Sequence, residues 1–157
     1  MVSIEKYSVK RKYEANLLSV KPEQSEFTVG NINDVLSSLK EHEHPHLIIN
    51  NSEVAGFFLL DLFYTETYGF SNLKALGIRA LLVDHRFQGQ GVATKAINLL
   101  PSYVDNNYPD FQALQLTVNC RNKAAYNCYC KCGFEDTGEL YLGGPVGPQH
   151  VMQRKIV

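Results

Sequence analysis

Gln88-Gly89-Gln90-Gly91-Val92-Ala93 follows the apolar run Leu81-Leu82-Val83 directly, and precedes a segment in which Ala93, Ile97, Leu100 and Val104 recur at helical spacing. A glycine-rich turn between a buried strand and a helix is an anion cradle. Its backbone N–H groups, together with about half a positive charge at the helix N-terminus, suit phosphate oxygens. Gly89 and Gly91 remove side-chain bulk where a pyrophosphate must approach the main chain, and Ala93 keeps the first helical turn close. A purely structural turn would look the same in isolation. A P-loop does not fit, because Lys95 comes too late after Gly91 and Ala96 follows it. A dinucleotide fingerprint fits poorly, with Thr94 at the third glycine position and several strands ahead of the turn.

A second group lies downstream. Asn122, then Ala125 or Tyr126, and Tyr129 stand three to seven residues apart, so they line one face of a helix expected from Asn122 to Cys132. A phenol there serves either as a core aromatic or as a proton donor.

Together the two segments resemble the GCN5-related N-acetyltransferase (GNAT) superfamily. Its phosphate-binding motif is Gln/Arg-x-x-Gly-x-Gly/Ala, matched by Gln88 to Ala93; its second motif, Asn-x-x-Ala-x-x-x-Tyr-x-x-x-Gly-Phe, is matched by Asn122, Ala125, Tyr129, Gly133 and Phe134. Arg86 to Gly91 also fits the bare first pattern, and Gln88 is preferred as its start because the helix is then expected to begin immediately after Ala93. The resemblance implies an α/β (α+β) acyl-CoA N-acyltransferase fold over residues 1–157 as a single domain. A mixed central sheet of six to seven strands would be splayed between its fourth and fifth strands and flanked by about four helices.

The same resemblance implies the chemistry. Acetyl-CoA would lie in the splay, with no metal, and acetyl would pass to a primary amine of a small molecule by direct attack. The main chain of Leu81, Leu82 and Val83 would pair with the pantetheine arm as an added strand does, and the Leu82 N–H would polarise the acetyl carbonyl. Gln88, Gly89, Gln90, Gly91, Val92, Ala93 and Thr94 would hold the phosphates. Asn122, Ala125, Tyr126 and Tyr129 would border the arm, with Tyr129 as general acid.

Some relatives carry a glutamate base on the fourth strand, where this chain has Gly77, Ile78, Arg79 and Ala80. Asp61, Glu66 and Asp84 are water-linked alternatives, each also readable as a structural carboxylate. Pro22-x-Gln24-x-x-Phe27 and Asp136-Thr137-Gly138-Glu139 resemble the branch of small bacterial spermine/spermidine-type acetyltransferases. Arg79 speaks instead for a carboxylate-bearing amine, such as an amino acid or peptide end. A non-catalytic acyl-CoA-binding or regulatory module, or acetylation of a peptide or protein amine, are the alternatives.

The elements that must position these groups follow from periodicity and turn chemistry. Strands are expected at Val2 to Lys6, His46 to Asn50, Glu53 to Tyr64, Leu73 to Val83, Ala113 to Val118, Phe134 to Leu142 and Gln149 to Ile156, with Asn50-Asn51-Ser52 as a tight hairpin. Helices are expected from about Val9 to Val20, with Tyr13, Leu17 and Leu18 on one face, and from Asn33 to about Glu41, capped by Asn31 or Asn33. A further helix after Ala93 should be kinked or divided at Pro101, which lacks the N–H that the ladder needs. Tyr64, Tyr68 and Phe70 fall in an expected loop and could wall the acceptor site.

Composition narrows the class. At 157 residues the chain can bury roughly two thirds of its unfolded surface. Its 20% charged and 45% hydrophobic residues argue against disorder. A net charge of -1 shows no pull toward nucleic acid or an anionic membrane. No apolar run suggests a signal peptide or membrane span, so a cytoplasmic monomer or homodimer is expected. Cys128, Cys130 and Cys132 share one helical stretch but not one face, which favours reduced thiols over zinc; His42, His44 and His46 flank Pro45 in an expected exposed connector.

Overall fold

The computed structural model describes residues 1–27, 30–68 and 74–156. Seven strands form one sheet: β1 (Val2–Lys6), β2 (Glu43–Asn50), β3 (Glu53–Asp61), β4 (Ala75–Val83), β5 (Ala113–Asn119), β6 (Glu135–Tyr141) and β7 (Gln149–Lys155). Their spatial order is β1-β2-β3-β4-β5-β7-β6, and only the β4–β5 pair is parallel. The described α-helices are α1 (Lys12–Asn16), α2 (Ile32–Ser37), α3 (Tyr64–Tyr68), α4 (Val92–Asn107) and α5 (Lys123–Lys131). The mixed sheet of seven strands, whose fourth and fifth pair over only three residues, is the one the resemblance implied.

Period-2 alternation sends the central strands' side chains into two cores. Ile48, Phe58, Leu60, Leu76 and Leu114 meet α4 on one face, while Leu47, Ile49, Phe57 and Leu59 meet Ala15 of α1 and Ile32 of α2 on the other. The α4 stripe is Val92, Ala96, Ile97, Leu100 and Val104, all buried. Each large apolar side chain so buried contributes about 2 kcal/mol. That anchorage explains why α4 continues unbroken through Pro101: Ile97, Leu100 and Val104 are pinned to the sheet on either side of the missing hydrogen bond.

Several boundaries differ from expectation. The segment expected as a helix from Val9 to Val20 is a 3-10 turn at Val9–Arg11 followed by the five-residue α1, and Tyr13 and Leu17 are exposed while only Leu18 of the expected trio packs inward. Helix α2 is shorter than expected and starts at Ile32, where the Asn31 side chain accepts from the Asn33 N–H at 2.8 Å. Strand β3 ends at Asp61, and Tyr64 begins α3 rather than sitting in a strand or loop. Phe70, and Leu73 with which the fourth strand was expected to begin, lie outside the described residues.

The histidine segment is not an exposed connector. Pairing of Glu43 with Asp61 carries β2 across Pro45, and His46 is fully buried against Phe58 and Tyr103. Its Nδ1 lies 2.9 Å from the His44 carbonyl, which can only accept, so Nδ1 donates and Nε2 accepts from the Tyr103 hydroxyl at 2.7 Å. Among the described residues no His, Cys, Asp or Glu group could hold a metal ion, and none of their helices is long and apolar enough to cross a membrane.

Burial pushes the His46 pKa down to about 4, so the folded protein holds a neutral ring that gains a proton more readily when unfolded. Stability is therefore complete above the unfolded value near 6.5 and declines as pH falls toward 4. Denaturant unfolding should show this residue removing roughly 2 kcal/mol between pH 7 and pH 5, and His46→Gln should remove most of that slope. An unchanged slope in the variant would exclude His46 as its source.

Candidate active site

Strands β4 and β5 pair only through Ala75, Leu76 and Gly77, opposite Ala113, Leu114 and Gln115, and then part. Two features of β4 hold them open. At the last paired position, a Cβ on Gly77 would overlap the ring of buried Tyr64, so α3 packs directly against the main chain there. Beyond it, β4 carries one more residue than β3 between Arg79 and Leu82, and Ala80 adopts a left-handed φ of 56°. This is a β-bulge, which bends the strand away from its neighbour at a cost of about 1 kcal/mol for a non-glycine residue.

The parting leaves one edge of β4 facing a cleft of about 730 Å³. Which groups line that edge follows from the register. The Asp84 N–H donates to the Ala55 carbonyl at 2.8 Å, so two residues earlier the Leu82–Phe57 pair also exchanges its hydrogen bonds. The Leu82 carbonyl accordingly points at β3, where a Cβ on Gly56 would stand 2.6 Å from it. Leu82 therefore does not offer its N–H to the cleft, contrary to expectation. Alternation turns Leu81 and Val83 outward instead, and the Val83 carbonyl accepts from the Gln88 side chain at 2.9 Å on that side.

At the end of this edge the chain makes the glycine turn. Gly89 and Gly91 have φ of 77° and 76°, a region that favours glycine. Helix α4 begins at Val92 with Gly91 as its N-cap, two residues before the start expected after Ala93. Gln88 nevertheless faces the cleft with Gly89, Gly91, Val92, Ala93 and Thr94, whereas exposed Arg86 is bound to Asp84 at 2.8 Å. The Gln90 side chain turns back to the Arg86 carbonyl at 3.1 Å, away from the cleft. No side chain caps α4 and no acidic residue occupies its first turn, so its leading N–H groups stay open to an external anion. By contrast α5 is capped by Asn122, which accepts from the Ala125 N–H at 3.3 Å.

Helix α5 forms the opposite wall with Asn122, Ala124, Ala125, Cys128 and Tyr129. Of the two residues between which spacing could not choose, Ala125 is on this wall. Tyr126 is not: its hydroxyl donates to Asp136 at 3.0 Å and its ring lies 4.6 Å from that of His150. Tyr129 is half-buried at the cleft, and burial, reinforced by the neighbouring Cys128 and Cys132 thiols, raises its phenol pKa far above the ordinary value. It is thus protonated throughout the working pH range. All four cysteines are free, and Cys128 Sγ contacts Thr94 Oγ1 at 3.5 Å across the α4–α5 junction.

The carboxylates weighed as bases are placed elsewhere. Asp61 is buried and bound by His42 at 3.1 Å, the Phe63 N–H at 2.9 Å and Arg79 at 3.2 Å. Asp84 is buried and ties the Ser19 N–H to the turn at 2.9 Å; burial works against its charge, and hydrogen bonds from Arg86 and Ser19 overcome it and hold the carboxyl below its usual range. Glu66 is exposed and outside the cleft lining. Tyr64 and Tyr68 do wall the cleft, joined by Tyr141 and the segment Gly143 to Val146. Nothing local in the sequence marks that last segment, which reaches the site because β6 and β7 pair next to β5.

Comparison with known proteins places this arrangement. A model of the acetyltransferase (GNAT) family matches residues 7–134. An uncharacterised N-acetyltransferase of Bacillus subtilis (strain 168), YbbJ, is 30% identical over 142 residues, covering 83% of this chain and 88% of the relative. Among solved structures, AAC(6')-Ib in complex with paromomycin and acetyl-CoA matches with a TM-score of 0.75 at 21% identity, over 98% of this chain and 93% of that one. Spermidine N-acetyltransferase of Vibrio cholerae, with CoA and spermine, matches with a TM-score of 0.71 at 14% identity, over 98% and 95%.

If Tyr64 against Gly77 sets the opening, Gly77→Ala must displace the ring. Thermal unfolding should then report a loss of about 1–3 kcal/mol, the usual cost of overpacking a core. Wild-type stability in that variant would show that the contact is slack.

Proposed function

Because the chain belongs to the acetyltransferase (GNAT) family, we propose that its cleft takes acetyl-CoA as acyl donor and a primary amine of a small molecule as acceptor. One observation carries the proposal: an unpaired strand edge runs from the β4–β5 parting to an uncapped helix start free of side-chain bulk. That is the shape of a ligand with an amide-bearing arm at one end and a diphosphate at the other. The residues present fit it. The N–H groups leading α4 and the turn at Gly89 and Gly91 receive the diphosphate, while outward-facing main-chain groups of Leu81 and Val83 pair with the arm.

Bound there, the thioester supplies an activated acetyl carbonyl. Leu81, the nearer of the two to the parting, offers the N–H that stabilises negative charge on the carbonyl oxygen. The amine attacks neutral, a carbon–nitrogen bond forms and the carbon–sulfur bond breaks. Tyr129 donates a hydrogen bond and then its proton to the departing sulfur, and solvent takes up the proton that the attacking nitrogen loses and returns one to the phenolate. Its raised pKa keeps the phenol protonated, and so able to donate, until negative charge develops on the sulfur. Similarity to proteins crystallised with paromomycin and with spermine supports a small polyamine-like acceptor.

Two variants test this. Gly91→Glu should weaken acetyl-CoA binding at least about a hundredfold in calorimetry, with Gly91→Ala retaining much more affinity, because the glutamate adds charge as well as backbone strain. Equal affinities for the two variants would contradict the cradle. Tyr129→Phe should lower kcat in a thiol-release assay about a hundredfold or more while acetyl-CoA still binds, and unaltered turnover would remove Tyr129 from the mechanism.

A further inference from the structure

A second cavity, of about 380 Å³, opens beside the bulge in β4 and shares Glu26, Phe27, Arg79 and Ala80 with the main cleft. It is therefore a side chamber of the site, beside the β4 bulge and bordered by β2, β3 and the region of α2. Its walls combine apolar side chains, Val35, Leu39 and Leu59, with charged ones.

The charge balance settles what the chamber favours. Arg79 supplies its cation, but Nη1 lies 2.8 Å from Glu43 and 3.2 Å from Asp61, so two carboxylates already face that one guanidinium. Glu26 adds a further negative charge on the lining, and its own partner Arg121, 3.4 Å away, is exposed and lies over the ring of Phe27. On the lining itself Glu26 and Glu43 outnumber Arg79, while buried Asp61, also bound by His42, and Arg121 stand behind it. The positive charge that sequence alone assigned to this region is thus overcompensated. An ammonium entering along the Val35–Leu39–Leu59 wall meets unbalanced carboxylates, whereas a carboxylate would meet repulsion from Glu26 and a guanidinium already bound.

We infer that the side chamber receives a second ammonium of the acceptor, carried on an apolar stem, so that the preferred substrates are diamines or polyamines, with Glu26 as a specificity-determining residue. This rests on the acetyl-transfer reading of the main cleft. The stem follows the apolar wall, the remote ammonium lies between Glu26 and Glu43, and the reactive amine stays at the parting.

The test is steady-state thiol release from acetyl-CoA with three acceptors of equal chain length: 1,5-diaminopentane, pentylamine and 5-aminopentanoic acid. The diamine should show a KM about tenfold below that of the monoamine, with the amino acid the poorest. In Glu26→Gln and Glu26→Lys the ratio of diamine to monoamine KM should rise toward one and beyond it, with the change in KM rather than kcat. Both variants alter an exposed residue, and far-UV circular dichroism checks that they fold. Preference for the amino acid, or a diamine advantage that survives both substitutions, overturns the inference while leaving acetyl transfer intact. Absence of turnover with every acceptor overturns the acetyl-transfer reading and this inference with it.

Discussion

Everything at this site depends on the parting of two parallel strands. Main-chain N–H and C=O groups inside a sheet are normally paired, and an unpaired one away from water is costly. Here the outward edge of β4 after Gly77 has no strand beside it. The protein does not cover the gap with side chains; it leaves a cleft and lines the far wall with α5. Such an edge is completed by a ligand with its own amide groups, which is how an extended arm can be held without many specific side chains.

The rest of the architecture keeps that edge in place. Helix α4 is fixed to the sheet by five buried side chains, which aims its N-terminus along the cleft although Pro101 weakens its backbone ladder. Buried Asp84, the residue that follows β4, accepts from the Ser19 and Arg86 N–H groups and so ties the N-terminal segment to the turn after the strand. Tyr64 against Gly77 and the left-handed Ala80 bend β4 from either side. Small local costs, a strained residue and a helix without a cap, are concentrated at the site, where a ligand can offset them.

Charge is arranged differently at the two ends of the cleft. The end at the glycine turn presents main-chain dipoles and has no acidic residue in the first turn of α4. The end beside the bulge holds ionised side chains, with Arg79 enclosed by Glu43 and Asp61 and with Glu26 nearby. A cleft divided in this way can hold an anionic group at one end and a cationic group at the other.

Much of this was legible in the residue order. Gly89 and Gly91 between an apolar run and a helical stripe announced a phosphate-sized turn, because left-handed backbone and missing side chains are local properties. The spacing of Asn122, Ala125 and Tyr129 likewise specified one helix face. Pairing register was not legible, since it depends on which strand lies opposite: only the Ala55–Asp84 hydrogen bond shows that Leu82 faces β3 while Leu81 and Val83 face the cleft. The burial of His46, the neutralisation of Arg79 by Glu43 and Asp61, and the arrival of Tyr141 and the 143–146 segment are also products of strand order. Sequence by itself determined the glycine turn and the helix start beside it, which are built from neighbouring residues. Tertiary structure alone decided the direction of each main-chain group and the charge balance beside the bulge, because both are set by residues far apart in the chain.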